Sequence, residues 1–196
     1  FVGRIFSCGD TLERFRHLLG DPPWRELDEA ADGTAAGSDG LFVVPHLKQR
    51  RAGESDLSSR DSMVGYGGAH ESGHVFRAAL EGVALLAREG AGEVMERVAR
   101  VVVSGGPVKS RPVRRIMAAV FGGRVLADES GHSGVGAAIL AGYARGKCRS
   151  LDRNVLNACK QTGIVEADAA EVEFYARLLP RFRGIRKSLH TGDTGQ

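Results

Sequence analysis

A β-branched run followed by two glycines and a helical pattern constrains the fold of this chain more than any other feature. The run Val101–Val103 is typical of a strand that is buried on both faces. Gly105 and Gly106 then allow a sharp turn. After the turn, apolar residues recur at the spacing of an amphipathic helix, at Val113, Ile116, Met117, Val120 and Phe121. The sequence therefore predicts a strand, a tight turn and a helix, which is the repeating unit of an α/β fold.

The other segments continue this alternation of helices and strands. Asp10 and Glu13 have the spacing of a capping box, and Gly122-Gly123 is a helix stop. Hydrophobic periodicity predicts the rest: helices over 10–19, from Trp24, over 75–95, over 134–143 and over 168–189, and strands over 41–44 and 125–127. We expect the helix over 134–143 to pack closely, because its residues are small.

We divide the chain into three parts. Residues 1–40 form an N-terminal helical segment of the same domain. Residues 41–146 form the α/β core, with a long loop at 46–69 that lacks any sustained period. Residues 147–196 form a C-terminal helical extension.

The composition excludes several classes of protein. A net charge of +3, from 27 Lys and Arg against 24 Asp and Glu, is too balanced to indicate a nucleic-acid partner. No stretch approaches the roughly 18 consecutive apolar residues that a membrane-spanning helix needs. We see no signal peptide, and Cys8, Cys148 and Cys159 form no CxxC pair, so we expect a cytoplasmic protein with reduced thiols. The first residue, Phe1, suggests a fragment or a processed chain.

The turn at Gly105-Gly106 has the mechanics of a nucleotide site. Glycines lack a Cβ, so the backbone can come within hydrogen-bond reach of a phosphate or a ribose. The first amides of a following helix favour negative charge. In open α/β sheets, ligands bind at the carboxyl ends of strands. Most Gly-Gly turns are simple tight connections, so the turn alone is weak evidence for a nucleotide site.

The residues around the turn resemble the adenosine-binding segment of the FGGY family of carbohydrate kinases, which includes xylulokinases, gluconokinases and glycerol kinases. The residues that fall in register with that segment are Gly105, Gly106, Lys109, Ser110, Arg114, Phe121 and Gly122. Pro107 stands in place of a third glycine and removes one backbone donor. The resemblance implies that the nucleotide is contacted by Gly105, Gly106, Pro107, Ser110 and Arg111.

The resemblance covers nearly the whole chain. Family-like segments occur in the family's order at Leu41–Gly65, His74-Val75, Ala78–Glu81, Gly136–Ala138, Ile164-Val165 and Tyr175. The family's Gly-Glu-Arg-x-Pro is replaced by Gln49–Gly53, which keeps only an arginine, so we expect unusual sugar recognition. The Gly136–Ala138 segment matches a helix that closes over the nucleotide.

The resemblance implies a ribonuclease H-like (actin-like ATPase) fold and the C-terminal half of a two-domain sugar kinase. ATP and Mg²⁺ would be the cofactors, and a sugar or polyol would bind mainly to the N-terminal domain. That domain supplies the catalytic aspartate in the family, so we assign no catalytic residue here; Asp56 and Glu81 match positions without a catalytic role. We expect this chain alone to be inactive. The face left by a missing half favours self-association, so a homo-oligomer is a further expectation.

Two alternatives from other classes stay open. His70-Glu71-Ser72-Gly73-His74 matches HExxH, which on a helix binds zinc through both histidines and uses the glutamate as a general base. That motif would make the chain a metallopeptidase, although the same residues fit the FGGY pattern without a metal. The second alternative is a non-catalytic actin-like module that binds nucleotide or another chain.

Overall fold

The structure, a computed structural model, describes residues 8–45, 61–92, 95, 101–128, 133–147, 150 and 163–191. The predictions for residues 46–60, including the Gln49–Gly53 segment and Asp56, lie outside the described residues, as do Cys148 and Cys159. Within the described residues, no helix is both long enough and apolar enough to span a bilayer.

Two helices open the described chain. Helix α1 is Cys8–Leu18 and helix α2 is Trp24–Gly33. The predicted cap at Asp10 is wrong, because Asp10 lies inside the first turn of α1, where its charge favours the positive end of the helix dipole. Pro23 precedes α2 directly, as the sequence predicts for a helix that starts at Trp24.

A two-stranded antiparallel ladder follows. Strand β1 is Phe42–Val44 and strand β2 is Ser62–Val64, with Val43 opposite Met63. The prediction of a loop through residue 69 is therefore wrong at β2. Three residues are too few to show a period of two, and this strand depends on its pairing with β1.

Helix α3, Ser72–Ala91, is the central element. It packs against α1, α2 and β1, and fourteen of its residues are buried, from Gly73 to Ala87. Two glycines on α3 allow the backbones of neighbouring elements to approach it closely. A Cβ on Gly73 would lie 2.7 Å from the carbonyl oxygen of Ala30, and one on Gly82 would overlap the carbonyl oxygen of Val43.

A second sheet contains the predicted strand–turn–helix unit. Its strand order is β3-β4-β5, with β3 parallel to β4 and β5 antiparallel to it. The elements of this half are β3 (Val102–Ser104), α4 (Arg111–Val120), β4 (Arg124–Asp128), α5 (Ser133–Ala144), β5 (Gly163–Glu166) and α6 (Ala169–Thr191). Gly122 and Gly123 end α4 with φ angles of +95° and +105°, which confirms the predicted helix stop.

Two burial predictions for this half are wrong. Val102 on β3 is 56% exposed, because β3 is an edge strand of this sheet within the described residues. The predicted close packing of α5 is not found among the described residues either, since Val135, Leu140 and Tyr143 are exposed. Hydrophobic patterns indicate that a surface is apolar, but they do not say which element covers it.

One hydrophobic core joins the first and the last helix of the described residues. Leu12 and Phe15 of α1 share it with α3, β1 and α4, and α6 contributes Tyr175 and Phe182, both fully buried. The N-terminal and C-terminal helices therefore pack on the same core, while the three-part division of the chain stays a prediction.

A buried ion pair lies inside this core. Arg77 and Glu81 are one turn apart on α3, and Arg77 Nε donates to Glu81 Oε1 at 2.9 Å. The arginine also donates to the carbonyl oxygen of Ala31. The Tyr175 hydroxyl accepts from Arg77 Nη2 at 3.1 Å and donates to Glu81 Oε1 at 2.7 Å. The amide of Gly37 donates to the same carboxylate at 2.8 Å. The network therefore connects α3 to the α2–β1 connection and to α6.

Tyr175 makes the stability of the chain sensitive to alkaline pH. Burial raises the pKa of the Tyr175 phenol well above its ordinary value. Above pH ~10 the unfolded chain releases this proton and the folded chain keeps it, so stability falls as pH rises, by up to ~1.4 kcal/mol per pH unit. We expect Tyr175→Phe to be less stable than wild type at neutral pH, with a gap that narrows above pH ~10. Urea unfolding across that range tests this, with the exposed Tyr66→Phe as control.

Candidate functional site

The Gly-Gly turn leads into one turn of 3₁₀ helix before α4 begins. Gly105 has φ +103° and ψ −176°, a conformation that is essentially reserved for glycine. The 3₁₀ turn covers Gly106–Lys109 and includes Pro107. A Cβ on Gly106 would meet no atom within 4 Å, so the backbone there borders open space. The turn is therefore accessible to a ligand.

Ser110 occupies the end of this turn and has two partners. Its Oγ accepts a hydrogen bond from the Val113 amide at 3.4 Å, which caps α4, and donates to Asp28 Oδ1 on α2 at 2.8 Å. The cap confirms the predicted start of α4. It also occupies one of the amides that a phosphate at this helix end would use.

A cavity of about 570 Å³, which we call the turn cavity, lies beside the 3₁₀ turn. Its walls come from α1, α2, α3 and α4. The larger apolar side chains in the walls are Leu12, Trp24, Phe76, Leu80, Pro107 and Val113. The polar side chains in the walls are Glu13, Arg25, Asp28, Lys109 and Ser110. A mostly apolar cavity with a few polar groups is the usual form of a small-molecule site.

An aromatic pair forms one side of the turn cavity. The rings of Trp24 and Phe76 have centroids 6.1 Å apart and planes inclined at 57°. The Arg16 guanidinium lies 5.5 Å from the centroid of the Trp24 ring, which favours a cation–π contact. Trp24 is partly exposed, so its ring is reachable from solvent.

Asp28 is an acidic residue of the turn cavity, and its pKa is shifted. Burial raises the pKa of Asp28 above its ordinary value, and the hydrogen bond from Ser110 opposes that rise. The nearby charge of Asp32 raises the pKa further, and Arg114 lowers it. The carboxylate is therefore partly desolvated and is oriented by the serine.

The predicted site residues are distributed unevenly around the turn cavity. Gly106, Pro107 and Ser110 line it, and Gly105 directly precedes the lining turn. Arg111 is not in the lining; its side chain is 77% exposed and lies 3.7 Å from Asp32. The contact of these five residues with a nucleotide stays a prediction.

Sequence reasoning missed the opposite side of the turn cavity. Leu12 and Phe76 were predicted only as residues of helices, Leu80 also as part of the family-like segment Ala78–Glu81, and Asp28 carried no signal at all. Trp24 offered a weak signal, because it is the single tryptophan of the chain and follows Pro22-Pro23 at the start of a helix. Only packing brings these helices to the turn.

The HExxH interpretation is wrong, because the two histidines do not share a helix face. Glu71 is extended, with φ −98° and ψ 176°, and caps α3, so His70 lies before the helix. The Nδ1 atom of His74 accepts from the Glu71 amide at 3.1 Å, and Nδ1 of His70 accepts from the Gly67 amide at 2.9 Å. These hydrogen bonds form a capping box and a turn, not a zinc site.

One acidic group with a histidine could in principle hold a metal ion within the described residues. It consists of Glu13, His17 and Asp21. Arg16 contacts both carboxylates, at 3.0 and 3.1 Å, and His17 lies between them. Arg16 already offsets part of the negative charge of these two carboxylates, and Mg²⁺ prefers several oxygen ligands in octahedral geometry. These residues therefore fit a network of surface ion pairs better than a magnesium site.

Similar proteins and structures are sugar kinases. The chain is 28% identical to the xylulose kinase of Bacillus subtilis over 98% of its own length and 39% of that protein. It is 33% identical to the gluconokinase of Bacillus licheniformis over 87% of its length and 34% of that protein. The crystal structure of xylulose kinase from Rhodospirillum rubrum matches 93% of the chain and 38% of that protein, with a TM-score of 0.73 at 30% identity.

The chain thus spans about 34–39% of the length of these relatives. The structural match confirms the predicted actin-like ATPase fold. The family model that matches residues 7–145 describes the FGGY family of carbohydrate kinases, C-terminal domain. This match covers most of the chain and includes both the Gly-Gly turn and α3. The chain therefore belongs to the FGGY family of carbohydrate kinases and corresponds to the C-terminal domain of that family.

Proposed function

We propose that this chain is the ATP-binding part of a kinase that transfers the γ-phosphate of ATP to a hydroxyl of a sugar or polyol. We further propose that the turn cavity holds the adenosine of that ATP. The observation that carries this proposal is the position of the cavity, directly beside the glycine turn of a carbohydrate-kinase domain.

The size and chemistry of the turn cavity suit a purine nucleoside. A volume of about 570 Å³ is within the ~300–1,000 Å³ range of ligand pockets. The rings of Trp24 and Phe76, with Leu12 and Leu80, supply flat apolar surface for a base. Gly106 borders open space, so a ribose can approach the backbone there. The residues present therefore fit the adenosine moiety.

The role of this chain would be to position the nucleotide. ATP supplies the phosphoryl group that is transferred, and catalysis of such transfer depends mainly on positioning and charge neutralisation. Pro107 donates no hydrogen bond and Ser110 caps α4, so the turn is better suited to the nucleoside than to the phosphates. Mg²⁺ is usually held partly by the phosphates themselves, with few protein carboxylates.

The remaining expectations concern the whole protein. We propose that a sugar or polyol is bound, and the catalytic base supplied, by a domain other than this one, as the family architecture implies. No residue of this chain is assigned a catalytic role. Placement in the cytoplasm and assembly into a homo-oligomer likewise stay predictions.

Nucleotide binding can be measured through the single tryptophan of this chain. We expect ATP and ADP to change Trp24 fluorescence saturably, because Trp24 lines the turn cavity. Gly106→Val should weaken this binding by roughly tenfold or more, since its side chain would enter open space beside the cavity without a clash. Gly68→Val is the matched control, because Gly68 also has no neighbours for a Cβ and lies outside the lining. A wild-type chain that shows no saturable change, or a Gly106→Val chain that binds normally, would contradict the proposal.

A further inference from the structure

Arg16 does not line the turn cavity, yet it contacts two residues that do. These are Glu13 of α1 and Trp24 of α2. The guanidinium donates to Glu13 Oε1 from Nε at 3.2 Å and from Nη2 at 3.0 Å. Its central carbon lies 5.5 Å from the centroid of the Trp24 ring. One side chain therefore connects the parts of the cavity wall that these two helices supply.

The same guanidinium also holds the connection between α1 and α2. Its Nη1 atom donates to the carbonyl oxygens of Asp21 and Pro22, at 3.4 and 3.3 Å, and its Nη2 atom lies 3.1 Å from Asp21 Oδ1. The Asp21 amide donates in turn to the Arg16 carbonyl oxygen at 3.0 Å. Asp21 has a φ angle of +59°, which is uncommon for a residue other than glycine. Such a conformation persists where surrounding contacts impose it, and Arg16 supplies several of them.

This set of contacts requires a planar guanidinium. All three nitrogens of Arg16 are in use, and a delocalised cation packs well on an aromatic ring. The ammonium group of a lysine is a compact point charge, which cannot contact Glu13, the two carbonyl oxygens and the Trp24 ring at once. The side chain of Arg16 is only 21% exposed, so its contacts are partly shielded from water.

We propose that Arg16, through its guanidinium, is a positioning residue that fixes the Trp24 ring at the turn cavity, because it holds the α1–α2 connection and packs on the ring. This inference rests on the proposed binding of adenosine in the turn cavity and adds which residue outside the lining prepares the cavity. A ring that is already fixed loses less conformational freedom when a ligand binds. Loss of Arg16 therefore weakens nucleotide binding, although no lining residue is removed.

The first test needs no nucleotide. Trp24 is the single tryptophan of the chain, so acrylamide quenching and fluorescence anisotropy report on its ring. We expect Arg16→Met and Arg16→Lys to increase the quenching constant and to lower the anisotropy, because the ring becomes more mobile and more accessible. Arg177→Met is the matched control, since Arg177 also forms an ion pair within its own helix, with Glu173 at 2.6 Å, and lies outside the lining. It should leave both quantities unchanged.

The second test measures ADP binding by calorimetry, at a temperature where thermal melting shows that every variant is folded. We expect Arg16→Met and Arg16→Lys to bind ADP roughly 3- to 10-fold more weakly than wild type. Arg177→Met should bind ADP as wild type does. In a Trp24→Ala background, Arg16→Met should change the affinity by less than about twofold, because a residue that acts through Trp24 then has no ring to position.

Three results would overturn the role of Arg16 and leave nucleotide binding standing. They are wild-type quenching and ADP affinity in Arg16→Met, full recovery of both by Arg16→Lys, and an effect of Arg16→Met that is undiminished in the Trp24→Ala background. A lower melting temperature with unchanged quenching and affinity would show a purely structural residue. If wild type binds no nucleotide, the proposed function itself is overturned, and the quenching comparison still decides whether Arg16 fixes the Trp24 ring.

Discussion

Replacement of Arg77 by Met is expected to destabilise the folded chain by about 3–5 kcal/mol. The methionine fills similar space but leaves the Glu81 carboxylate, which is only 3% exposed, without its cation. The carbonyl oxygen of Ala31 and the hydroxyl of Tyr175 lose donors as well. Urea unfolding followed by circular dichroism measures the free energy of unfolding directly.

The double variant Arg77→Met/Glu81→Leu distinguishes a loss of stability caused by an unpaired charge from one caused by altered packing. When both charges are removed, no buried ion is left unpaired, so the loss should be smaller than the sum of the two single losses. Arg88→Met is the control, because Arg88 is near the end of the same helix and is not buried. A loss below about 1 kcal/mol for Arg77→Met, or strict additivity of the two single losses, would show that the buried ion pair does not hold α3 to its neighbours.

Gly82→Ala is expected to cost about 3 kcal/mol or more, through a steric clash. A Cβ at this position would overlap the carbonyl oxygen of Val43 and would lie 3.2 Å from the Pro45 ring. Because the overlapping atom belongs to the backbone of β1, relief requires α3 to move away from the strand. We expect a lower free energy of unfolding and weaker nucleotide binding, since α3 also carries Phe76 and Leu80.

Gly90→Ala is the matched control on the same helix. No atom lies within 4 Å of a Cβ built on Gly90, and its φ is not in the left-handed region. This variant should be neutral or stabilising by up to about 1 kcal/mol, because alanine favours a helix over glycine. If Gly82→Ala behaves like Gly90→Ala, then α3 is not held at the close approach to β1 that we describe.

Both predictions concern α3, the helix that supports the candidate site. The family-like signature on α3, Ala78–Glu81, was predicted from the resemblance, and Glu81 was expected to have no catalytic role. In the structure, Arg77 and Glu81 anchor α3 to its neighbours, Gly82 sets its distance from β1, and Leu80 lines the turn cavity. The signature therefore has a structural function that positions one wall of the cavity.

Local patterns predicted much of the fold. The strand, the glycine turn and α4 were predicted correctly because each depends on neighbouring residues: β-branched side chains, glycines with positive φ and a serine cap. These local patterns failed where tertiary contacts determine whether a strand forms or whether it is buried. The short strand β2 exists through pairing with β1, and Val102 on β3 is exposed although its sequence indicates burial on both faces.

By itself, the sequence determined the family, the order of most helices and strands, and the turn beside which the candidate site lies. These features follow from residues within a few positions of each other. Only the tertiary structure decided which side chains that are distant in the sequence come into contact. Asp28 and Ser110 are 82 positions apart, and Arg77 and Tyr175 are 98 apart. No short-range pattern encodes such pairs, because helix packing creates them. The glycine turn could thus be predicted from the sequence, whereas the turn cavity beside it, which Trp24 and Asp28 line, could not.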